Sequence, residues 1–274
     1  MPQKIENREL PENASVQELL AALRMLAEQA GKVVLEYYAQ GDAVEVRDKD
    51  DSSPVTAADE ACEAFILDAL RQLTPNIPII SEEAASAGDL PDVVRDGAFW
   101  LVDPLDGTKE FLSRNGEFTV NIALVEKGRP VAGVVHAPAL DRTWLGAQRN
   151  GEASAFYAEK GGDLEEVRAR KMPAEGATVV ASRRHGSGGE LEAFLSRYHV
   201  KDRVSAGSSL KFCLIASAEA DIYPRFGRTM EWDTAAGQAV LEAAGGRVET
   251  LDQQPLTYGK KGFENPYFIA FGGD

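Results

Sequence analysis

The order of patterned segments predicts an α+β protein built of stacked helix and sheet layers. Three observations predict it. The chain opens with two long stretches of helical apolar spacing. It continues with short apolar runs joined by turn residues. After about residue 160 it alternates strand-like and helix-like segments.

The first helix is predicted from Ser15 to Tyr38. Ser15 and Glu18 form a capping box, and Leu19, Leu20, Leu23, Leu26, Ala27, Ala30, Val33, Val34 and Tyr37 recur at helical spacing. A polar, charged loop spans Gly41 to Ser53. Asp59 to Leu73 reads as the second helix, with Phe65, Ile66, Leu70 and Leu73 as its apolar stripe. Ile77 to Ile80 and Phe99 to Val102 are short apolar runs and read as strands. Phe118–Val125, Val131–His136 and Thr143–Ala147 read as an antiparallel meander, turned by Lys127-Gly128-Arg129 and Asn150-Gly151. Then come a strand at Thr178–Ala181, helices at Glu190–Tyr198 and Ser209–Ala218, and a strand at Ile222-Tyr223. A helix at Trp232–Ala244 is closed by Gly245-Gly246, and strands at Arg247–Thr250 and Tyr267–Phe271 finish the chain. The change of rhythm divides the chain into an N-terminal α+β subdomain, 1–160, and a C-terminal α/β subdomain, 161–274.

The 274 residues, 44% of them hydrophobic, suffice for a sizeable core without disulfides. The two cysteines, Cys62 and Cys213, fall on amphipathic helices and read as small buried hydrophobes, which suits a reducing cytosol. The opening is polar up to about Val16 and lacks the apolar run of a signal peptide. No apolar stretch nears the ~20 residues that cross a bilayer, so a soluble, cytoplasmic protein is expected. Peripheral contact with the inner face of the membrane stays open, as does the oligomeric state. A net charge of -15 disfavours long nucleic-acid partners but not a small anionic substrate. With only three histidines no zinc site is expected. A bound metal would be held by carboxylates, and would therefore be a hard cation such as magnesium.

Four acidic segments carry the candidate chemistry. In Trp100 to Thr108 an apolar strand runs into Asp103-Pro104-Leu105-Asp106-Gly107, where a tight turn would bring Asp103, the Leu105 carbonyl and Asp106 together; an ordinary Asx turn is the plainer alternative. Ser81-Glu82-Glu83 follows a strand, where adjacent carboxylates are usually no more than solvated charge. Asp51 lies eight residues before Asp59; Thr56 or Asp59 can simply start the next helix, which leaves Asp51 unexplained. In Glu231-Trp232-Asp233-Thr234-Ala235-Ala236, Asp233 either caps a helix or presents a carboxylate to a metal, with the helix's positive end towards a phosphate.

Together the segments resemble the lithium-sensitive, magnesium-dependent phosphatases, the family of inositol monophosphatase, fructose-1,6-bisphosphatase and 3'(2'),5'-bisphosphate nucleotidase. The strand entering Asp-Pro-Leu-Asp-Gly-Thr, the distant Trp-Asp-x-Ala-Ala and the earlier Glu-Glu pair all stand in family order. The likeness spans roughly residues 16 to 271. Asp103 to Phe111, Asn115 to Asn121, Gly207 to Phe212 and Tyr223 to Gly227 resemble the bacterial bisphosphate nucleotidase branch. Arg228, where proline is expected, and Arg184, where serine is usual, depart from it.

The resemblance implies a layered αβαβα sandwich and two or three magnesium ions. Glu82, Asp103 and the Leu105 carbonyl would hold one ion; Asp103, Asp106 and Asp233 a second; Glu82 a weaker third. Asp51 and Thr108 would orient and deprotonate the attacking water, with Glu82 among the catalytic carboxylates and Glu83 in support. Gly107 and Thr108 would hold the scissile phosphate. Ser182, His185, Ser208, Lys211 and Arg225, beside Asp233, are the candidate nucleotide contacts. The implied reaction is in-line hydrolysis of the 3'-phosphate of adenosine 3',5'-bisphosphate, and also of its phosphosulfate analogue, within sulfur metabolism and without a phospho-enzyme. The alternatives are a family phosphatase acting on inositol or sugar phosphates, and a non-catalytic scaffold retaining the fold.

Overall fold

The computed structural model describes residues 10, 14–48, 54–88, 90–91, 97–182 and 189–273. The elements run α1 (Val16–Tyr38), β1 (Val46–Asp48), β2 (Pro54–Thr56), α2 (Ala57–Leu73), β3 (Ile79–Ser81), α3 (Glu82–Ser86), β4 (Ala98–Asp106) and α4 (Thr108–Leu112). The meander follows as β5 (Thr119–Glu126), β6 (Arg129–Ala137), β7 (Arg142–Arg149), β8 (Glu152–Glu159) and β9 (Glu165–Glu166). The rest comprises β10 (Ala177–Ala181), α5 (Gly189–Leu195), β11 (Val200–Ser205), α6 (Leu210–Ala216), β12 (Ile222–Arg225), α7 (Glu231–Ala243), β13 (Arg247–Thr250) and β14 (Phe268–Phe271).

Three sheets result: the small antiparallel pair β1-β2, a larger sheet of seven strands in the order β3 through β9, and a smaller sheet of five in the order β11-β10-β12-β14-β13. Strand alternation decides how the layers stack. On one face of the larger sheet Trp100, Val102, Leu124, Val134 and Leu145 pack against Leu23 and Leu26 of α1 and Ile66 and Leu70 of α2. On its other face Phe99, Leu101, Ala123, Val135 and Trp144 join Phe212 of α6 and Ala236 and Val240 of α7. That middle core also takes in Tyr223, Val248, Phe268 and Ala270 from the smaller sheet. The outer face of the smaller sheet packs Val179, Ile222 and Ile269 against Leu191, Phe194 and Leu195 of α5. The layers are therefore α, β, α, β, α, as expected. β4 is buried on both faces, which is why it reads as a continuous apolar run rather than an alternation. Each large side chain so buried contributes about 1.5–3 kcal/mol.

The capping box at Ser15 forms: the Glu18 amide donates to Ser15 Oγ at 3.3 Å, and the Ser15 amide to Glu18 Oε2 at 2.9 Å. α2 starts two residues earlier than the spacing predicts, because Thr56 caps it and Asp59 reaches back to the Thr56 amide at 2.8 Å. α5 stops at Leu195 rather than Tyr198, where three-residue turns take over. Among the described residues no helix is long and apolar enough to cross a membrane. Cys62 and Cys213 are buried free thiols, and burial pushes both pKa values up.

Candidate active site

β4 does not stop at Val102 but runs on to Asp106. Its register against β5 shifts between Asp103 and Asp106, which takes Pro104-Leu105 out of the ladder. Gly107 then turns the chain in the left-handed region, at φ 92°, and α4 begins. Asp103 is buried and accepts from the Leu105 amide at 3.1 Å. Thr108 Oγ1 lies 3.2 Å from Asp59 Oδ1 and 3.5 Å from the Leu105 carbonyl; its single proton serves one of them at a time.

The loop before α6, from the other half of the chain, is stitched onto this turn. Ser208 Oγ lies 2.8 Å from the carbonyls of both Asp106 and Glu117. The Gly207 amide donates to the Glu117 carboxylate at 2.8 Å. Ser209 Oγ reaches Asp106 Oδ2 at 3.0 Å and the Asp233 carbonyl at 2.9 Å. Asp233 sits in the first turn of α7 and accepts the Met230 amide on Oδ2 at 2.8 Å. Glu82 opens α3, whose Glu83 and Ala84 amides donate to Glu63 Oε1 of α2 at 3.1 and 3.3 Å.

Charge accumulates here. Asp106 and Asp233 are half-buried and share one cleft. Burial, then the charges of Asp106 and Glu82, push the Asp233 carboxyl up to about 8. Burial likewise raises Asp106, against the opposing charge of Lys211. Lys211 is itself lowered to about 8 by burial and donates to the carbonyls of Ala206 and Ser208. Burial also lifts Tyr223 to about 12.

The donor set fits hard cations. It consists of oxygens only, its carboxylates repel one another, and among the described residues no donor reaches Oδ1 of Asp106 or of Asp233. Among those residues no three His, Cys, Asp or Glu side chains are gathered closely enough to grip an ion as they stand.

The open cleft, about 700 Å³, is lined by Asp106, Gly107, Ser182, Ser208, Lys211, Arg225 and Asp233 from the predicted set. Lys109, Glu110 and Thr229 also line it. Nε of Arg225 is buried without a partner, while Nη2 donates to the Arg228 carbonyl at 3.1 Å. Glu82, Glu83, Asp103, Leu105 and Thr108 lie at or next to the β3 and β4 ends. Asp51, His185 and Arg184 fall outside the described residues. Arg228 is exposed and pairs with Glu264 at 3.5 Å. Several participants escape sequence reasoning: Asp59 under Thr108, Glu63 under α3, Glu117 under Gly207, and Asn121 and Ser209 beside Asp106. Asp59 is masked by its capping role; the others meet their partners only through tertiary structure.

The profile of the inositol monophosphatase family matches residues 15–266. The 3'(2'),5'-bisphosphate nucleotidase CysQ of Salmonella typhimurium is 45% identical over 251 residues, covering 91% of this chain and 98% of that protein. The crystal structure of CysQ from Bacteroides thetaiotaomicron, a bacterial member of the same family, matches with a TM-score of 0.75 at 34% identity, over 93% of this chain and 97% of that one. An inositol monophosphatase from Anabaena matches with a TM-score of 0.71 at 26% identity, over 94% and 92%.

Proposed function

The chain belongs to the inositol monophosphatase family, and on that premise we propose that it is a magnesium-dependent 3'(2'),5'-bisphosphate nucleotidase. Enzymes of this family are generally metal-dependent phosphatases. The full-length likeness to bacterial bisphosphate nucleotidases carries the reading, and the oxygen-only donor set supports it. The reaction is hydrolysis of the 3'-phosphate of adenosine 3',5'-bisphosphate to AMP and phosphate, with the phosphosulfate analogue as a second substrate. It takes place in the cytoplasm, within sulfur metabolism.

Glu82, Asp103 and the Leu105 carbonyl would hold one magnesium, and Asp103, Asp106 and Asp233 another; Glu82 would hold a weaker third. When bound, the cations neutralise phosphoryl oxygens and favour ionisation of the attacking water. Thr108, fixed by Asp59, orients that water, and Asp51 takes its proton. Glu83 supports Glu82. The amides of Gly107 and Thr108 face the scissile phosphate. The unpartnered Nε of Arg225 and the ammonium of Lys211 would attract the second phosphate, with Ser182 and Ser208 along the same cleft, and His185 is proposed as a further nucleotide contact. Attack is in line and leaves no phospho-enzyme.

The test is phosphate release by the purified protein with magnesium, comparing adenosine 3',5'-bisphosphate with inositol 1-phosphate. A preference of at least about 100-fold in kcat/KM for the nucleotide is expected, below the roughly 10⁴-fold that fully unpaired polar contacts can impose. Equal or reversed preference defeats the assignment.

A further inference from the structure

Asn121 lies in the middle of β5, opposite Asp103 in the ladder, and Ser209 immediately precedes α6, 88 residues later. Both are buried, each with 1% exposure. The Asn121 amide nitrogen donates to Ser209 Oγ at 2.9 Å and to Asp106 Oδ2 at 3.3 Å. Ser209 Oγ in turn lies 3.0 Å from Asp106 Oδ2 and 2.9 Å from the Asp233 carbonyl. Three groups, from β4, β5 and α7, thus meet around the one hydroxyl that the α6 loop supplies.

We propose that Asn121 and Ser209 are positioning residues that form one hydrogen-bonded bridge, setting Asp106 against Asp233 so that each turns its undonated Oδ1 to the same cation. This rests on the reading that those two carboxylates hold magnesium.

The regular ladder cannot do this work. Register shifts between Asp103 and Asp106, and although Asp106 pairs again with Thr119 through its backbone, that pairing does not orient its side chain. Without the bridge, the Thr119 pairing and the Ser208 bond would still hold the Asp106 backbone, but its side chain would keep only the attraction of Lys211's charge. Asn121 Nδ2 has two protons and uses both here, so Asp106 keeps a donor whichever way the single Ser209 proton points. The cost is visible: Asn121 Oδ1 is buried with no partner. An orphaned acceptor at a core strand position costs about 1–3 kcal/mol.

The test uses Asn121→Ala, Ser209→Ala and the double variant, with Ser209→Thr as the conservative replacement. Two readouts are taken: the magnesium concentration giving half-maximal activity, and the magnesium-induced rise in Tm of the substrate-free protein. Each alanine variant should need about 10–100-fold more magnesium, the usual cost of losing a residue that orients metal ligands. Excess magnesium should recover the lost rate. The double variant should be no worse than the worse single one, because the residues act as a unit. Ser209→Thr should restore the wild-type requirement. Folded variants with unchanged magnesium requirement would overturn the bridge alone. Absence of any magnesium response in the wild-type protein would overturn the metal reading, and the bridge with it. Should one alanine variant fail to fold, the other and Ser209→Thr decide the matter.

Discussion

Gly146 of β7 lies so close to Val240 of α7 that a Cβ added to it would come within 2.5 Å of the Val240 Cα. Gly133 of β6 meets Ala236 in the same way, with 2.9 Å to its Cα. Sheet and helix therefore touch backbone to backbone, and α7 carries Asp233 in its first turn.

Gly146→Ala should accordingly destabilise the protein by about 1–3 kcal/mol, the cost of overpacking a filled core. It should also raise the magnesium requirement, because the helix that shifts carries Asp233, a proposed ligand. Denaturant unfolding and a magnesium titration check the two effects; a stable variant with a normal requirement would contradict them.

Asp106→Asn should lower kcat/KM by at least about 100-fold while the far-UV circular dichroism is unchanged. The metal-free Tm should hold or rise, since the substitution removes a charge that opposes ionisation of Asp233. Undiminished activity would refute the role of Asp106.

Metal removal should make stability depend on pH in a specific window. The folded Asp233 keeps its proton up to about 8, whereas an unfolded aspartate releases it near 3.9. Between those values the folded protein binds the extra proton, so metal-free stability falls as pH rises. The Tm in EDTA should be lower at pH 8.5 than at pH 6.5, and magnesium should raise it more at pH 8.5. Equal magnesium-induced shifts at both would count against the assignment.

Acid should destabilise through His136. Burial holds this imidazole down to about 4, and it shares a 2.9 Å hydrogen bond with Thr143. The unfolded imidazole protonates near 6.5, so lowering the pH through that value favours the unfolded chain. About 3 kcal/mol should be lost by pH 4, and His136 should titrate below 5 by NMR. A resonance assigned to His136 and titrating near 6.5 would exclude the mechanism. At pH 6.5 the unfolded His136 is half protonated, which costs only about 0.4 kcal/mol and leaves the Asp233 comparison dominated by Asp233.

The fold was legible where one periodicity held for several turns or strands. α1 and the β5–β7 meander have long apolar patterns, and Gly245-Gly246 marked the end of α7. β11, Val-Lys-Asp-Arg-Val-Ser, was not legible because it is an edge strand whose side chains mostly face water. β1 and β2 have three residues each, and α3 and α4 five each; they are held by tertiary contacts rather than by their own pattern. In the site, acidic residues betrayed themselves by clustering at strand and helix ends. Neutral Asn121 and Ser209 did not, and they meet across 88 residues. Asp59 was hidden by doing two things at once, capping α2 with one oxygen and receiving Thr108 on the other.

The placement of α7 between the larger and the smaller sheet also sets a timetable for biosynthesis. The ribosome delivers the larger sheet first, and the face of that sheet destined for α7 stays wet until residue 243 has cleared the exit tunnel. A nascent chain at that stage offers a broad greasy plate to chaperones and to its neighbours on the polysome. Premature termination between β9 and α7 should therefore yield an aggregation-prone product rather than a weakly active one.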